Sequence, residues 1–199
     1  LEKLSTGLRI NRSSDDTAGL SVSEHLRSQV RGLGRARSNA QDGIALLQIA
    51  EGAANETSDI LQRMRELAVQ SANDTLTSTD RSYIDQEFTA LTDEIDRIAT
   101  SAQYNGQQLV TGGSGSFGGV GSAASIVHIG ANDVAGTDSL TLEIDGITAG
   151  AIGLTGGATN VGVSTQASSL AAIGTIDTAI TSVNNMRSDV GAYVNRLEH

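Results

Sequence analysis

The feature that most restricts this fold is an apolar residue that returns at alternating spacings of four and three. Leu26, Val30, Leu33, Ala40, Ile44, Leu47, Ala54 and Leu61 all obey it, with Arg37, Glu51 and Ser58 as its polar members. A repeat averaging 3.5 residues keeps one edge of an α-helix turned toward one neighbour, so the pattern requires a partner helix alongside. "RSSDDTAG" supplies a start, because Ser13 to Asp16 offer side-chain oxygens to the free N–H groups of a first turn. The spacing predicts one helix from about Asp15 to Asn73, on the order of 88 Å long at 1.5 Å per residue. Gly32, Gly34, Gly43 and Gly52 fall inside it. Each either weakens the helix by about 1 kcal/mol relative to Ala or admits a close neighbour, and the sequence leaves both open.

"NDTLTSTD" then reads as a loop, followed by a second helix over about 80–100 that starts at Thr79 or Asp80. Its apolar line is Ile84, Phe88, Leu91, Ile95 and Ile98. The C-terminal block repeats the spacing with Ile173, Ile176, Ile180, Val183, Val190, Val194 and Leu197, Arg187 being its polar member. Pro is absent, so nothing forces a break inside these helices. Three such seams predict a mainly α fold. It is an elongated antiparallel bundle or coiled coil of three main helices, with a small β-hairpin region inserted between the N- and C-terminal helical segments. The aromatic content of 3%, without Trp, fits helix packing by Leu, Ile, Val, Met and Ala better than a globular enzyme core.

Charge and glycine mark the segments. Arg97 is followed by no Lys or Arg until Arg187, and 15 of the 23 Gly fall between Gly106 and Gly162. The division is therefore 1–110, a Gly-rich β insert over 111–163, and a C-terminal helix within 164–199. In the insert "SIVHIG" and "SLTLEIDG" read as short strands, with Leu140, Leu142 and Ile144 alternating against Thr141 and Glu143. "YNGQQLV" carries Asn-Gly turn chemistry, and "GGSGSFGGVGS" reads as a flexible connector.

Catalytic patterns are absent. His25, His128 and His199 stand in unrelated contexts, without the HExxH spacing that sets two imidazoles on one helix face. "TDEIDR" gathers carboxylates at Asp93, Glu94 and Asp96, but an Asp93–Arg97 ion pair on a solvated helix explains them better than acid–base chemistry. "GGSGSFGG" lacks the Lys of a phosphate loop. A net charge of −10 and pI near 4.6 argue against nucleic acid and anionic membranes. No run approaches the roughly 18 apolar residues of a membrane span. Without Cys there are no disulfides or thiolate metal sites. No cofactor is expected.

Five stretches together carry a family resemblance: "LSTGLRINRSSDDTAGLSVSEHLRSQVRGL", "NAQDGIALLQIAEGAANE", "LQRMRELAVQSAN", "EIDRIATSAQYNGQQLV" and "MRSDVGAYVNRLEH". They resemble bacterial flagellin and cover both helical blocks. The resemblance implies a structural subunit of the flagellar filament, exported by the flagellar type III system and located outside the cell. For the full-length chain it also implies a filament cap and an export chaperone as partners. It places this chain in the rod domain of a short flagellin, without the extreme terminal helices, so self-association of these residues alone is expected to be impaired. A hook–filament junction protein and a surface adhesion protein on the same scaffold are the alternatives.

"LQRMRELAVQSAN" has two faces. At about 100° per residue Leu61, Met64, Ala68 and Ala72 cluster on one side, and Arg63, Glu66, Leu67 and Gln70 are expected about 180° away, exposed. Flagellins detected by Toll-like receptor 5 use this helix and the next for the contact. By that resemblance Arg63, Leu67 and Glu87 match the main contact residues, with Gln62, Glu66 and Gln70 flanking them.

Overall fold

The computed structural model describes residues 16–112, 125–134, 136–155 and 161–199, together with Gly7, Ser14 and Phe117. It is mainly helical: α1 (Thr17–Ser71), α2 (Ser78–Ser101) and α3 (Gln166–Glu198). Two small strand pairs accompany them, β1 (Gln103–Tyr104) with β2 (Gln107–Gln108) and β3 (Ser125–His128) with β4 (Ser139–Leu142). The residues group into two compact units, Leu1–Asp42 with Ile126–Leu140, and Gly43–Ser125 with Thr141–His199.

Each helix begins where a side chain satisfies its first N–H groups. Asp16 Oδ1 accepts from the Gly19 N–H at 2.9 Å, which starts α1; Ser13 and Asp15 lie outside the described residues. Thr77 caps α2 through a reciprocal box: its hydroxyl accepts from the Asp80 N–H at 3.3 Å, and the Asp80 carboxylate accepts from the Thr77 N–H at 3.0 Å. The helix therefore begins at Ser78, just ahead of the predicted Thr79 or Asp80. Thr165 and Ser168 form the same box at the head of α3.

In the second unit α2 runs antiparallel to α1. Arg81 donates to the carbonyls of Ser71 and Asn73 at 3.0 and 2.9 Å, while further along Arg63 of α1 reaches Glu87 of α2. Arg81 thereby places a cation on the exposed carbonyl end of α1, which favours it electrostatically. Likewise α3 is antiparallel to α1, because Ser71 and Ser169 both donate to the Val163 carbonyl and Arg65 reaches Asp177. The Val163 N–H goes to Asp85 of α2 at 2.7 Å. One backbone unit, where the chain re-enters the bundle, thus holds all three helices.

The four-three spacing survives, but its register differs from the predicted one in every helix. Along α1 the buried line is Ala36, Ala40, Gly43, Leu47, Ala50, Ala54, Thr57, Leu61, Met64, Ala68 and Ser71, all buried save half-buried Ala40. It shares Ala40, Leu47, Ala54 and Leu61 with the predicted seam, replaces Ile44 and Glu51 by their predecessors, and adds Thr57 beside Ser58, which is buried as well. In α2 Thr92 and Ala99 are buried where Leu91 and Ile98 were expected. In α3 Ala172, Ala179 and Met186 replace Ile173, Ile180 and Arg187. The substitutes are mostly small, and small residues let helix surfaces approach. The two threonines tolerate burial because their hydroxyls bond back to Ala53 and Phe88 carbonyls one turn earlier.

The front of α1, in the first unit, departs from expectation outright. Val22, Leu26, Val30 and Leu33 are 58%, 55%, 69% and 56% exposed instead of buried in a seam. Another face of α1 is the covered one. Ala131 approaches Gly32 so closely that an added Cβ there would lie 3.0 Å from the Ala131 Cβ, and Asn39 donates to the His128 carbonyl at 3.0 Å. Gly32 therefore serves close approach, whereas Gly34 and Gly52 face open space.

In the insert, Leu140, Leu142 and Ile144 are buried while Thr141 and Glu143 are exposed, as the alternation requires. The Asn105–Gly106 turn joins β1 to β2 with φ of 50° and 78°, in register Gln103↔Gln108. Asp96 of α2 accepts from the Ala149 N–H at 2.8 Å, tying the insert to the bundle. Of "GGSGSFGGVGS" only Gly112 and Phe117 are described, so the expected connector lies outside the described residues.

Candidate partner-binding face

Arg63 stands at the centre of the candidate site. Its guanidinium donates to Glu87 Oε1 from Nε at 3.1 Å and from Nη2 at 2.8 Å, and to Glu66 Oε2 from Nη1 at 3.2 Å. The antiparallel pairing of α1 with α2 is what brings Glu87 to this height. All three side chains remain about half exposed or more. The hydrogen bonds to Glu87, and after them those to Glu66, hold Arg63 above the usual guanidinium pKa, so the charge is permanent. Gln62 and Gln70 lie exposed on the same helix.

Leu67 corrects the expectation. It is 1% exposed and belongs to the core. Two helices press on α1, and their ion pairs mark the edges of the buried sector: Arg63 with Glu87 toward α2, Arg65 with Asp177 toward α3 at 2.7 Å. At about 100° per residue that sector is about 200° wide, and Leu67 stands about 40° inside the Arg63 edge. The expected half-turn between Leu67 and the core line is not what the helical angle gives: Leu67 stands about 60° from Met64 and about 100° from Ala68. Ala72, expected inside, is half-buried.

Two features escaped the sequence reading. Arg65 and Asp177 lie 112 residues apart, and nothing local announces their pairing. It borders a shallow groove of about 490 Å³ lined by Gln62, Arg65, Glu66, Val69 and Gln70. Tyr83, one turn before Glu87 on α2, is 66% exposed, the only exposed aromatic side chain among the described residues. Its i, i+4 spacing to Glu87 was legible.

Elsewhere, Arg97 pairs with Glu94, its Nε donating at 2.7 Å, and not with Asp93 as expected. Glu94 faces Arg97 from three residues away on the same side of α2, which suits a two-pronged contact. The Arg97 hydrogen bonds lower the Glu94 pKa. His25 and His128 are exposed on α1 and β3. Among the described residues no three His, Asp or Glu side chains gather in a metal-binding arrangement, and no helix is long and apolar enough to cross a membrane. The arrangement suits recognition of another macromolecule, with a rigid helical pair presenting fixed charges and one aromatic.

Residues 1–114 match the family model described as the bacterial flagellin N-terminal helical region. Flagellin FlaB2 of Treponema pallidum (strain Nichols) is 46% identical over 204 residues, a match covering all of this chain and 70% of that protein. The flagellar filament 33 kDa core protein of Treponema phagedenis is also 46% identical, with the same coverage. Among solved structures, Bacillus cereus flagellin superposes with a TM-score of 0.66 at 32% identity, covering 82% of this chain and 86% of that one.

Proposed function

The chain belongs to the bacterial flagellin family, and on that footing we propose that it is a structural subunit of the flagellar filament whose α1–α2 face also serves receptor recognition. The filament part is supported by relatives that are filament core proteins and match along the whole chain. The chemistry is that of association, not catalysis: seamed helices give a stiff unit, and its outer faces meet other copies. Export through the flagellar type III system to the cell exterior, and service by a cap and a chaperone, follow as parts of the same proposal. The rod-domain division at 1–110, 111–163 and 164–199 belongs to it too.

The receptor part rests on one observation, the exposed network of Arg63 with Glu66 and Glu87. An Arg fixed by neighbours loses little freedom on binding, which is the physical profile of an interface hot spot. Gln62 and Gln70 extend the face, while Leu67 supports it from beneath. The partner is Toll-like receptor 5. Titration of the purified chain with the receptor ectodomain tests this: saturable binding is expected. No binding at micromolar concentrations would remove the receptor reading and leave the filament one standing.

A further inference from the structure

The chain offers few side chains to a one-electron oxidant, and the fold leaves one of them open. There is no Cys and no Trp, so two Met and three Tyr remain. Susceptibility to oxidation follows exposure as well as intrinsic chemistry. Met64 and Met186 are 0% and 2% exposed, inside the helical core. Tyr104 in β1 and Tyr193 near the end of α3 are half-buried. Tyr83 on α2 is 66% exposed. All five residues belong to the second unit. Asp80 and Glu87 stand three residues before Tyr83 and four after it, which puts both carboxylates on its side of α2.

We propose that Tyr83 is the residue at which nitrogen dioxide, the nitrating radical released by peroxynitrite, modifies this chain, and that the modification blunts recognition at the α1–α2 face. The site follows from exposure; its effect on binding rests on the receptor reading. Two radicals are consumed. The first takes the hydrogen atom of the phenol, breaking the O–H bond and leaving as nitrite and a proton. The second couples with the tyrosyl radical at a ring carbon next to the oxygen, forming a C–N bond. The hydrogen on that carbon then leaves as a proton and the oxygen regains one, which restores the aromatic ring. The nitro group draws electron density from the oxygen and makes the phenol more acidic, so the product carries both added bulk and negative charge. Glu87 is one turn away, and its Oε1 holds Arg63 through two hydrogen bonds. A second anion there competes for the guanidinium that the partner reads. Charge changes at the exposed edge of an interface act mainly on association. Tyr83 takes no part in the core, so the fold tolerates the change.

The 199-residue protein is treated with peroxynitrite at neutral pH and digested, and its peptides are mapped by mass. Nitrotyrosine is expected at Tyr83 several-fold above Tyr104 and Tyr193, with Met64 and Met186 left unoxidised. In urea, where burial is lost, the three tyrosines are expected to react alike and the methionines to oxidise. Equal nitration of all three in the folded chain, or Met sulfoxide ahead of nitrotyrosine, would overturn the site. Titration with the receptor ectodomain then reads the effect. The nitrated chain is expected to bind several-fold more weakly than the untreated one, while Tyr83→Phe is expected to bind equally before and after treatment. Equal affinity of the nitrated and untreated chains would overturn the effect and leave the site. An untreated chain that does not bind at all fails the receptor reading, and the effect with it, whereas the peptide map decides the site in either case.

Discussion

Arg63 of α1 holds a single oxygen of Glu87 of α2 with two nitrogens, Nε at 3.1 Å and Nη2 at 2.8 Å. The two residues are 24 positions apart, so the contact fixes how far α2 has slid along α1. It lies at the exposed edge of the helix pair, where a partner reaches both groups without disturbing the core.

Replacing Arg63 or Glu87 by Ala is expected to weaken receptor binding by roughly tenfold or more, as for central interface residues. Exposed ion pairs contribute little to folding, so helicity and melting temperature are expected to stay near wild type. Isothermal titration with the receptor ectodomain, paired with circular dichroism, separates the two effects. Unchanged affinity in a fully helical variant would contradict the assignment.

Leu67→Ala is expected to act on stability first. The side chain is 1% exposed, and truncating a buried Leu costs about 2–5 kcal/mol. Urea denaturation should show that loss. A variant as stable as wild type would mean that Leu67 is not packed as described.

The register of the seams has its own test. Ala179→Leu forces a large side chain into the buried line of α3 and is expected to cost about 1–3 kcal/mol. Ile180→Ala trims a half-buried neighbour and is expected to cost less. The opposite order in thermal unfolding would restore the register read from the large residues.

Acid is expected to loosen the start of α2. The Thr77 hydroxyl, and then the Thr77 N–H, hold the Asp80 carboxyl below its ordinary pKa of 3.8. A carboxylate lowered in the folded state contributes stability that is complete above its unfolded pKa and disappears as pH falls through the folded one. Glu94, lowered by Arg97 from 4.5, adds in the same direction. Stability is therefore expected to fall below about pH 4.5, and Asp80→Asn is expected to flatten part of that fall. An equal slope in the variant would remove Asp80 as a cause.

Much of the helical frame could be read from residue spacing, since four-three periodicity and Ser, Thr or Asp caps are local signals. The register could not. Weight given to Ile44, Leu91, Ile98 and Ile180 drew the seam one position late, because large apolar residues look like core and Ala or Thr do not. Where helices approach closely, the small residue is the one inside. The open stripe at Val22 to Leu33 obeys the same spacing as a buried seam, so only the structure separates the two. Within the candidate site, Arg63, Glu66 and Glu87 were placed by resemblance and the fold gathers them. Leu67 was misplaced because it was grouped with Arg63, whereas at about 100° per residue it stands only about 60° from Met64 of the core line, on the side that α2 covers.

The filament reading is tested most directly by electron microscopy of a flagellin-deficient cell supplied with the gene that encodes this sequence. Long helical filaments that bind an antibody raised against these 199 residues are expected. Abundant protein outside the cell with no filaments, or filaments from which the antibody is absent, would contradict it.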